Sequence, residues 1–321
     1  MTSDAEQEGV VPPDDAFGVL GNETRIQILQ ALGEAEESMS FTELRDRVGL
    51  PQGGQFSYHL EKIVGHFVKK TDEGYILRQP GRRVVQAVLS GAVTDDPELD
   101  YTEIDEACWW CGGPIVVRYH QERLDLYCTE CAGTYGDLSV RRPTPIAETV
   151  PTVPDDLGYL GAFFLPPAGV ETRTPEQAYR AGMAWEMLEY LAISNGICPR
   201  CSSAIDRSVQ VCEAHDDTEG LCGTCGNRKA INMQVACRNC IYRNRGTFVD
   251  ALYNNPEVMA FFTANGVSLF SPYQLFSVSG SYEEEILSTD PFEGRFTFTM
   301  GDQTLSVTVD DTFSIVESVR S

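Results

Sequence analysis

Eleven cysteines and one histidine of this chain fall into six pairs, and in each pair two residues separate the two side chains. A tight turn of this length aims both side chains at one ion, and four such ligands complete the tetrahedral site that structural zinc prefers. Taken in chain order, the pairs predict three zinc sites, formed by Cys108, Cys111, Cys128 and Cys131, by Cys198, Cys201, Cys212 and His215, and by Cys222, Cys225, Cys237 and Cys240.

Disulfide bonding is the main alternative for paired cysteines. An odd number of cysteines argues against complete disulfide pairing, and the N-terminal residues contain no hydrophobic signal segment for export to an oxidising compartment. A thioredoxin-type redox role is disfavoured because no βαβ pattern surrounds the pairs. The grouping of the last four pairs stays open, because an interleaved arrangement, first pair with third and second with fourth, also satisfies four ligands per site.

Each predicted site is closed by four protein ligands, which leaves no position for a catalytic water. No HExxH motif is present, and no other acid, base or nucleophile constellation is evident. The sequence therefore predicts structural zinc and no enzymatic activity.

The chain carries 48 acidic residues against 24 basic ones, a formal net charge of −24, and only four of the basic residues are lysines. Such a composition is typical of proteins from salt-accumulating halophiles, whose hydrated acidic surface keeps them soluble; an acidic face for a partner is the alternative. No apolar run reaches the roughly 18 residues of a membrane span. These features predict a cytoplasmic protein that does not enter membranes.

Residues 14–93 have the pattern of a compact DNA-binding unit. Asn22 and either Ser40 or Thr42 are the expected N-caps of its first two helices. Helical patterns cover about 23–33, 41–48 and 55–64, two extended runs cover 67–71 and 74–78, and a last helix follows Pro80. Three helices, a hairpin and a helix in this order predict a winged helix-turn-helix.

Four motifs in this unit also carry a family resemblance: LGNETRIQIL at 20–29, FTEL at 41–44, FSYHL at 56–60 and DEGYIL at 72–77. In sequence, order and spacing they resemble ArsR-type winged-helix transcription regulators. The whole arrangement is similar to haloarchaeal ArsR-like proteins that carry cysteine-rich segments behind the winged helix. The resemblance implies a homodimeric, sequence-specific regulator that binds double-stranded DNA. It does not imply arsenic sensing, because every cysteine is assigned to a ribbon.

In a winged helix the third helix enters the major groove and the hairpin wing approaches the backbone. Amide and hydroxyl groups suit base edges and phosphate oxygens, whereas lysine and arginine neutralise phosphates. The expected DNA contacts are therefore Gln52, Gln55, Ser57, Tyr58 and His59 on the third helix and the turn before it, and Lys69, Lys70, Arg78, Arg82 and Arg83 on the wing and after it. A packed or capping role is the alternative for the histidine, and a solvated face is the alternative for the basic residues.

The rest of the chain predicts smaller modules, so that the whole belongs to the α+β class. We expect a first zinc ribbon at 105–141, with a β-hairpin through 114–119 and 124–127, and then a proline-rich linker and a helix capped by Thr174 at 142–196. Tandem zinc-ribbon-like modules follow at 197–246, with hairpin-like runs at 204–211 in one module and 230–235 in the next. The last unit, at 247–321, is predicted to be an acidic α+β domain with a helix through 248–262 and strands that include one near 275–278. A winged helix followed by a zinc ribbon also resembles the archaeal TFE alpha subunit. A general transcription or polymerase-adaptor protein, with the transcription machinery as partner, is therefore the alternative to a regulator.

Overall fold

The computed structural model describes residues 11–49, 54–136, 153–216, 220–268 and 282–321. Within these ranges the chain forms seven α-helices and four small antiparallel sheets, which confirms the mixed α+β class. It divides into two compact units, Met1–Asp95 and Asp96–Ser321. No helix in the described part of the chain combines the length and the apolar character needed to cross a membrane.

Local capping signals set the helix boundaries of the first unit. The Asn22 side chain accepts a hydrogen bond from the Arg25 backbone N–H, Ser40 and Glu43 form a reciprocal capping box, and Gly49 ends a helix with φ of 72°. The elements are α1 (Pro13–Leu20), α2 (Glu23–Gly33), α3 (Phe41–Val48), α4 (Gly54–Ile63), β1 (Val68–Lys70), β2 (Tyr75–Leu77) and α5 (Gln79–Leu89). The predicted order of helices and hairpin is therefore present.

The core of this unit packs around α2, which is in contact with α3, α4, β2 and α5. Its fully or nearly buried side chains include Ile28, Leu29, Leu32, Leu44, Phe56, Leu60, Ile63 and Val85. Burying a side chain of this size contributes about 1.5–3 kcal/mol. Because Phe56 and Leu60 hold one face of α4 against the core, Gln55 and Tyr58 on its other face lie exposed to solvent.

The second unit begins with a four-stranded antiparallel sheet in the order β3 (Leu99–Ala107), β4 (Pro114–His120), β5 (Arg123–Cys128) and β6 (Gly158–Phe164). The hairpin β4–β5 was expected from the sequence. The strand β6 lies in a segment that the sequence predicted to be a linker, and it pairs with β5 along its whole length. The linker assignment was wrong for these residues, because Leu160 and Phe163 are buried in the core of the sheet.

The long helix α6 (Pro175–Ser194) joins this sheet to the rest of the unit. Thr174 and Gln177 form a capping box, as the sequence predicted for its start. Near its N-terminal end, Gly182 lies so close to the sheet that an added Cβ would stand 2.6 Å from Phe163 Cδ2. Near its C-terminal end, Ser194 donates a hydrogen bond to the Ala251 carbonyl, so one helix supports two layers.

A second sheet and a third share the largest core of the unit. The three-stranded sheet is ordered β7 (Ile205–Val211), β8 (Ile231–Cys237) and β9 (Arg243–Thr247), and the C-terminal meander is ordered β10 (Tyr282–Thr289), β11 (Phe292–Met300), β12 (Gln303–Asp310) and β13 (Ile315–Arg320). Phe248 packs on Phe292, Phe296 and Phe313. These aromatic contacts bury the apolar faces of both sheets together.

The C-terminal helix differs from the sequence prediction. A single helix through 248–262 was expected, whereas the chain forms a short 3₁₀ turn, Phe248–Ala251, and then α7 (Pro256–Ala264). The break follows from Asn255, whose side chain caps α7, and from Pro256 at the first helical position. The strand expected near 275–278 lies outside the described residues.

Candidate metal centres and helix–hairpin surface

The structure brings the twelve predicted metal ligands into three clusters of four. In each cluster the candidate ligand atoms all lie within 4.8 Å of one another, and all eleven cysteines are free thiols. The first cluster comprises Cys108, Cys111, Cys128 and Cys131; the outer cluster comprises Cys198, Cys201, Cys237 and Cys240; the inner cluster comprises Cys212, His215, Cys222 and Cys225.

The first cluster forms as the sequence predicted. One ligand pair precedes β4 and the other follows β5, and the antiparallel pairing of these strands places both turns at the same end of the hairpin. The Sγ atoms of Cys108 and Cys131 lie 3.8 Å apart, and those of Cys111 and Cys128 lie 3.4 Å apart. A tetrahedron with Zn–S bonds of about 2.3 Å separates its sulfur atoms by about 3.8 Å, so the cavity between them suits one such ion.

The other two clusters are nested, and the consecutive grouping predicted from the sequence was wrong. The strands β7 and β8 pair with each other, with Ile205 opposite Cys237 and Val211 opposite Ile231. The turn before β7 therefore meets the turn after β8, while the two turns between the strands meet at the opposite end. The interleaved alternative is not observed either.

The outer and inner clusters have sulfur spacings like those of the first. In the outer cluster, Cys198 and Cys240 lie 3.6 Å apart and Cys201 and Cys237 lie 3.5 Å apart, measured between Sγ atoms. In the inner cluster, His215 Nδ1 lies 3.5 Å from the Sγ atom of Cys225. The sequence predicted separate modules for the extended runs of β7 and β8, whereas these strands pair with each other. Recognising the two runs as one hairpin would have predicted the nested grouping.

Backbone N–H groups point at several sulfur atoms and prepare them for ionisation. The Sγ atom of Cys237 accepts hydrogen bonds from the N–H groups of Asn239 and Cys240, both at 3.3 Å. The bond from Cys240 is the main cause that lowers the pKa of Cys237 to about 6. The N–H of Cys225 likewise lowers the pKa of Cys222. Thiolates are the form in which cysteine binds metal.

Burial acts in the opposite direction at the first cluster. The thiol of Cys108 is nearly inaccessible to solvent, and this burial raises its pKa. A buried thiolate needs a nearby cation, and four sulfur ligands around one cavity give a soft divalent ion such a place. The donor set, the spacing and the N–H···S bonds together fit a structural metal ion at each cluster.

The first and inner clusters are connected through Trp110, which lies between Cys108 and Cys111. Its indole N–H donates to Thr134 at 2.8 Å, and its ring lies under the guanidinium of Arg228, 4.9 Å from the ring centre. Arg228 follows the inner cluster by three residues and also donates to the Gly133 carbonyl. A cation–π contact of this kind holds the two ligand clusters in one arrangement.

The first unit presents the helix α4 and the β1–β2 hairpin to solvent. On α4, Gln55 and Tyr58 are exposed, while Ser57 and His59 are half-buried. Ser57 donates a hydrogen bond to Glu61, and the ring of His59 packs against that of Tyr58 at 5.4 Å. The predicted contact Gln52 lies outside the described residues.

The predicted basic contacts all lie on the surface of this unit. Lys69 and Lys70 are exposed on β1, and Arg78, Arg82 and Arg83 are exposed at and beyond the end of β2. Among the described residues, none of these five forms a salt bridge with a carboxylate. Arg78 donates instead to the Gly65 carbonyl. Their charges are therefore available to an anionic partner.

The chain is thus an α+β protein with three closed clusters that are compatible with metal ions in zinc-ribbon-like modules. It belongs to the family described as Domain of unknown function (DUF7351), whose model matches residues 105–315. Residues 13–88 match a second model, Domain of unknown function (DUF7347). No curated protein and no solved structure matches the chain.

Proposed function

We propose that the protein is a sequence-specific, DNA-binding transcription regulator with three structural zinc ions. The observation that carries the proposal is the first unit itself. Its helices α2 to α4, the β1–β2 hairpin and α5 follow the order of a winged helix-turn-helix, and the surfaces that would meet DNA in such a unit are polar or basic.

The helix α4 has the composition of a recognition helix. Its exposed Gln55 offers an amide that can bind an adenine edge with two hydrogen bonds, and the exposed Tyr58 offers a hydroxyl to a base or a phosphate. Its apolar residues are buried beneath, so binding DNA exposes no part of the core. Base readout of this kind survives high salt better than contacts to phosphate alone.

The basic residues near the wing support a backbone contact. Residues 60–92 contain six lysines and arginines against three acidic residues, within a chain whose net charge is −24. Such a local reversal of sign concentrates an attractive field where the hairpin would approach phosphates.

A homodimer is part of the proposal, and exposed apolar side chains support it. Phe17 on α1 is 72% exposed, Leu89 at the end of α5 is 57% exposed, and Val93 beyond it is 71% exposed. Large apolar groups that remain exposed on a small unit are candidates for burial by a second copy. Two recognition helices would then bind a palindromic site.

Zinc is proposed as the ion because four thiolate or imidazole ligands in closed, tetrahedral-sized clusters are the environment that structural zinc prefers. The ions would stabilise hairpins too small to fold by their apolar burial alone. Elemental analysis of purified protein tests this: three zinc ions per chain are expected, and protein that folds fully without bound metal contradicts the proposal.

The decisive experiment measures genome-wide DNA occupancy of the tagged protein in its host at native salt. Discrete peaks that share a palindromic motif are expected, and they should vanish in a Gln55→Ala/Tyr58→Ala variant. Gln86→Ala, an exposed glutamine on α5, is the matched control and should keep the peaks. Broad signal that follows polymerase and persists in the α4 variant would overturn the regulator and favour a polymerase adaptor.

A further inference from the structure

The helix α6 has one face in the core and an opposite face in solvent. Met183 and Ile193 on the inner face are buried in the two cores of the second unit. On the outer face, six residues at alternating steps of four and three form what we call the α6 stripe: Gln177, Ala181, Ala184, Leu188, Leu191 and Asn195. Five of them are exposed and Ala181 is half-buried. Steps of four and three are the spacing with which one helix packs along another.

The α6 stripe is apolar in its middle and uncharged along its whole length. Leu188 is 59% exposed and Leu191 is 45% exposed. The carboxylate of Glu189 lies on the inner side of the helix, where it is buried and binds Arg200 at 2.7 Å. In a chain with a net charge of −24, an uncharged stripe about 27 Å long is a place where another molecule can pack without burying a carboxylate.

Trp185 borders the stripe and is already held in position. Its indole N–H donates a hydrogen bond to Glu189 Oε1 at 2.9 Å, yet its side chain stays exposed. A side chain that is ordered before binding loses little conformational entropy when a partner covers it. Tryptophan is also among the residues that contribute most to protein interfaces. The border of the stripe is therefore prepared for an apolar contact.

The order of residues in the stripe matches the stripe itself in the reverse direction. An antiparallel second copy, with its two-fold axis at position 186, would pair Gln177 with Asn195, Ala181 with Leu191, and Ala184 with Leu188. Each apolar pair then combines a small residue with a large one, which fills the space between the two helices evenly. The two amide side chains at each end can form hydrogen bonds with each other. A parallel copy would instead place leucine on leucine and alanine on alanine.

Charge and area agree with an antiparallel pair. The N-terminus of each helix, which carries a partial positive charge, would lie beside the partially negative C-terminus of the other. Contact along the stripe, with Trp185 of both copies at its border, would remove about 1,000 Å² of total surface from solvent, the lower limit for a specific interface.

We infer that the α6 stripe is a homodimer interface, in which α6 packs antiparallel against α6 of a second copy of this chain. The inference does not depend on DNA binding. It gives the second unit a contact of its own in the homodimer that is part of the proposed function.

The test measures the dissociation constant of the dimer by sedimentation velocity of the full chain, without DNA, over a range of chain concentrations. In Leu188→Gln/Leu191→Gln the constant should rise at least about 100-fold, because four leucines of the dimer lose their apolar contact. Val316→Gln/Val319→Gln is the control, since it replaces two exposed apolar residues of β13 and should leave the constant unchanged. All variants are compared at equal metal content. An unmodified chain that stays monomeric at every concentration overturns the inference.

An exchange of sizes tests whether α6 pairs with itself. Leu188→Ala alone should weaken the dimer about 10-fold or more. Adding Ala184→Leu to that variant should restore most of the loss, because each opposed pair again holds one large and one small residue. A foreign partner keeps its own surface and would not give this recovery, so a double variant as weak as the single one contradicts self-pairing.

Phe17→Gln/Leu89→Gln in the first unit separates this inference from the homodimer contacts proposed there. If that variant weakens the dimer and the α6 variant does not, the α6 interface is overturned and the contacts of the first unit stand. If the α6 variant alone weakens it, the inference stands and the first-unit contacts fail. Weakening by both variants supports both contacts.

Discussion

Replacing the candidate ligand pairs two at a time tests which turns share a metal ion. The four pairs of the β7–β8 hairpin are numbered in chain order: Cys198/Cys201, Cys212/His215, Cys222/Cys225 and Cys237/Cys240. The nested geometry assigns the first and fourth pairs to the outer cluster and the second and third to the inner one. The strand β7 has seven residues, so the two clusters lie about 20 Å apart and neither shares a ligand with the other.

The expected metal content follows directly from this geometry. With three ions in the unmodified chain, replacing the first and fourth pairs by serine should leave two ions, because both pairs hold the same ion. Replacing the first and second pairs, with alanine for His215, should leave one ion, because two separate sites are broken. Elemental analysis of purified, dialysed protein gives these stoichiometries.

Each alternative grouping has its own outcome. If the pairs are grouped consecutively, the two variants should exchange their metal contents. If the pairs are interleaved, both variants should keep one ion, and two ions should remain only when the first and third pairs are replaced. The first cluster is the internal reference for folding, since its ligands lie on a different hairpin. Each variant is also prepared with cobalt in place of the native ion. If every variant keeps the absorption of cobalt bound in the first cluster, the ions were lost only from the sites whose ligands were replaced. Either exchanged or equal results would refute the nested assignment.

Two further predictions concern the helix α6. Gly182→Val should destabilise the fold by about 1–3 kcal/mol in denaturant unfolding, because its side chain overlaps Phe163, whereas Ala184→Val on the exposed side should change it much less. Burial, together with the charges of Glu189 and Asp250, raises the pKa of Glu186 to about 8. The folded chain then binds a proton that the unfolded chain lacks between about pH 4 and pH 8, so stability should rise as pH falls through this window. Glu186→Gln should flatten that rise; an unchanged pH profile would show that the carboxyl is solvated.

Much of the local structure and the chemistry of the candidate site could be predicted from the sequence. Asn22, Ser40 and Thr174 were expected to cap helices, and they do, because a cap depends on residues within one turn of the chain. The twelve candidate metal ligands were identified from the spacing within each pair, which is also a local property. The order of helices and strands in residues 20–77 predicted a fold, and only the resemblance to winged-helix regulators predicted DNA binding. That function stays a prediction.

Tertiary structure decided which distant parts meet. The pairs at 198–201 and 237–240 share a cluster because β7 and β8 pair with each other, and spacing along the chain carries no record of strand pairing. The same reason applies to β6. This strand comes from a proline-containing segment, and it belongs to a sheet only because it pairs with β5. Residue spacing determined the identity of the ligands, whereas the free energy of packing two sheets and one long helix around a common core determined how those ligands combine.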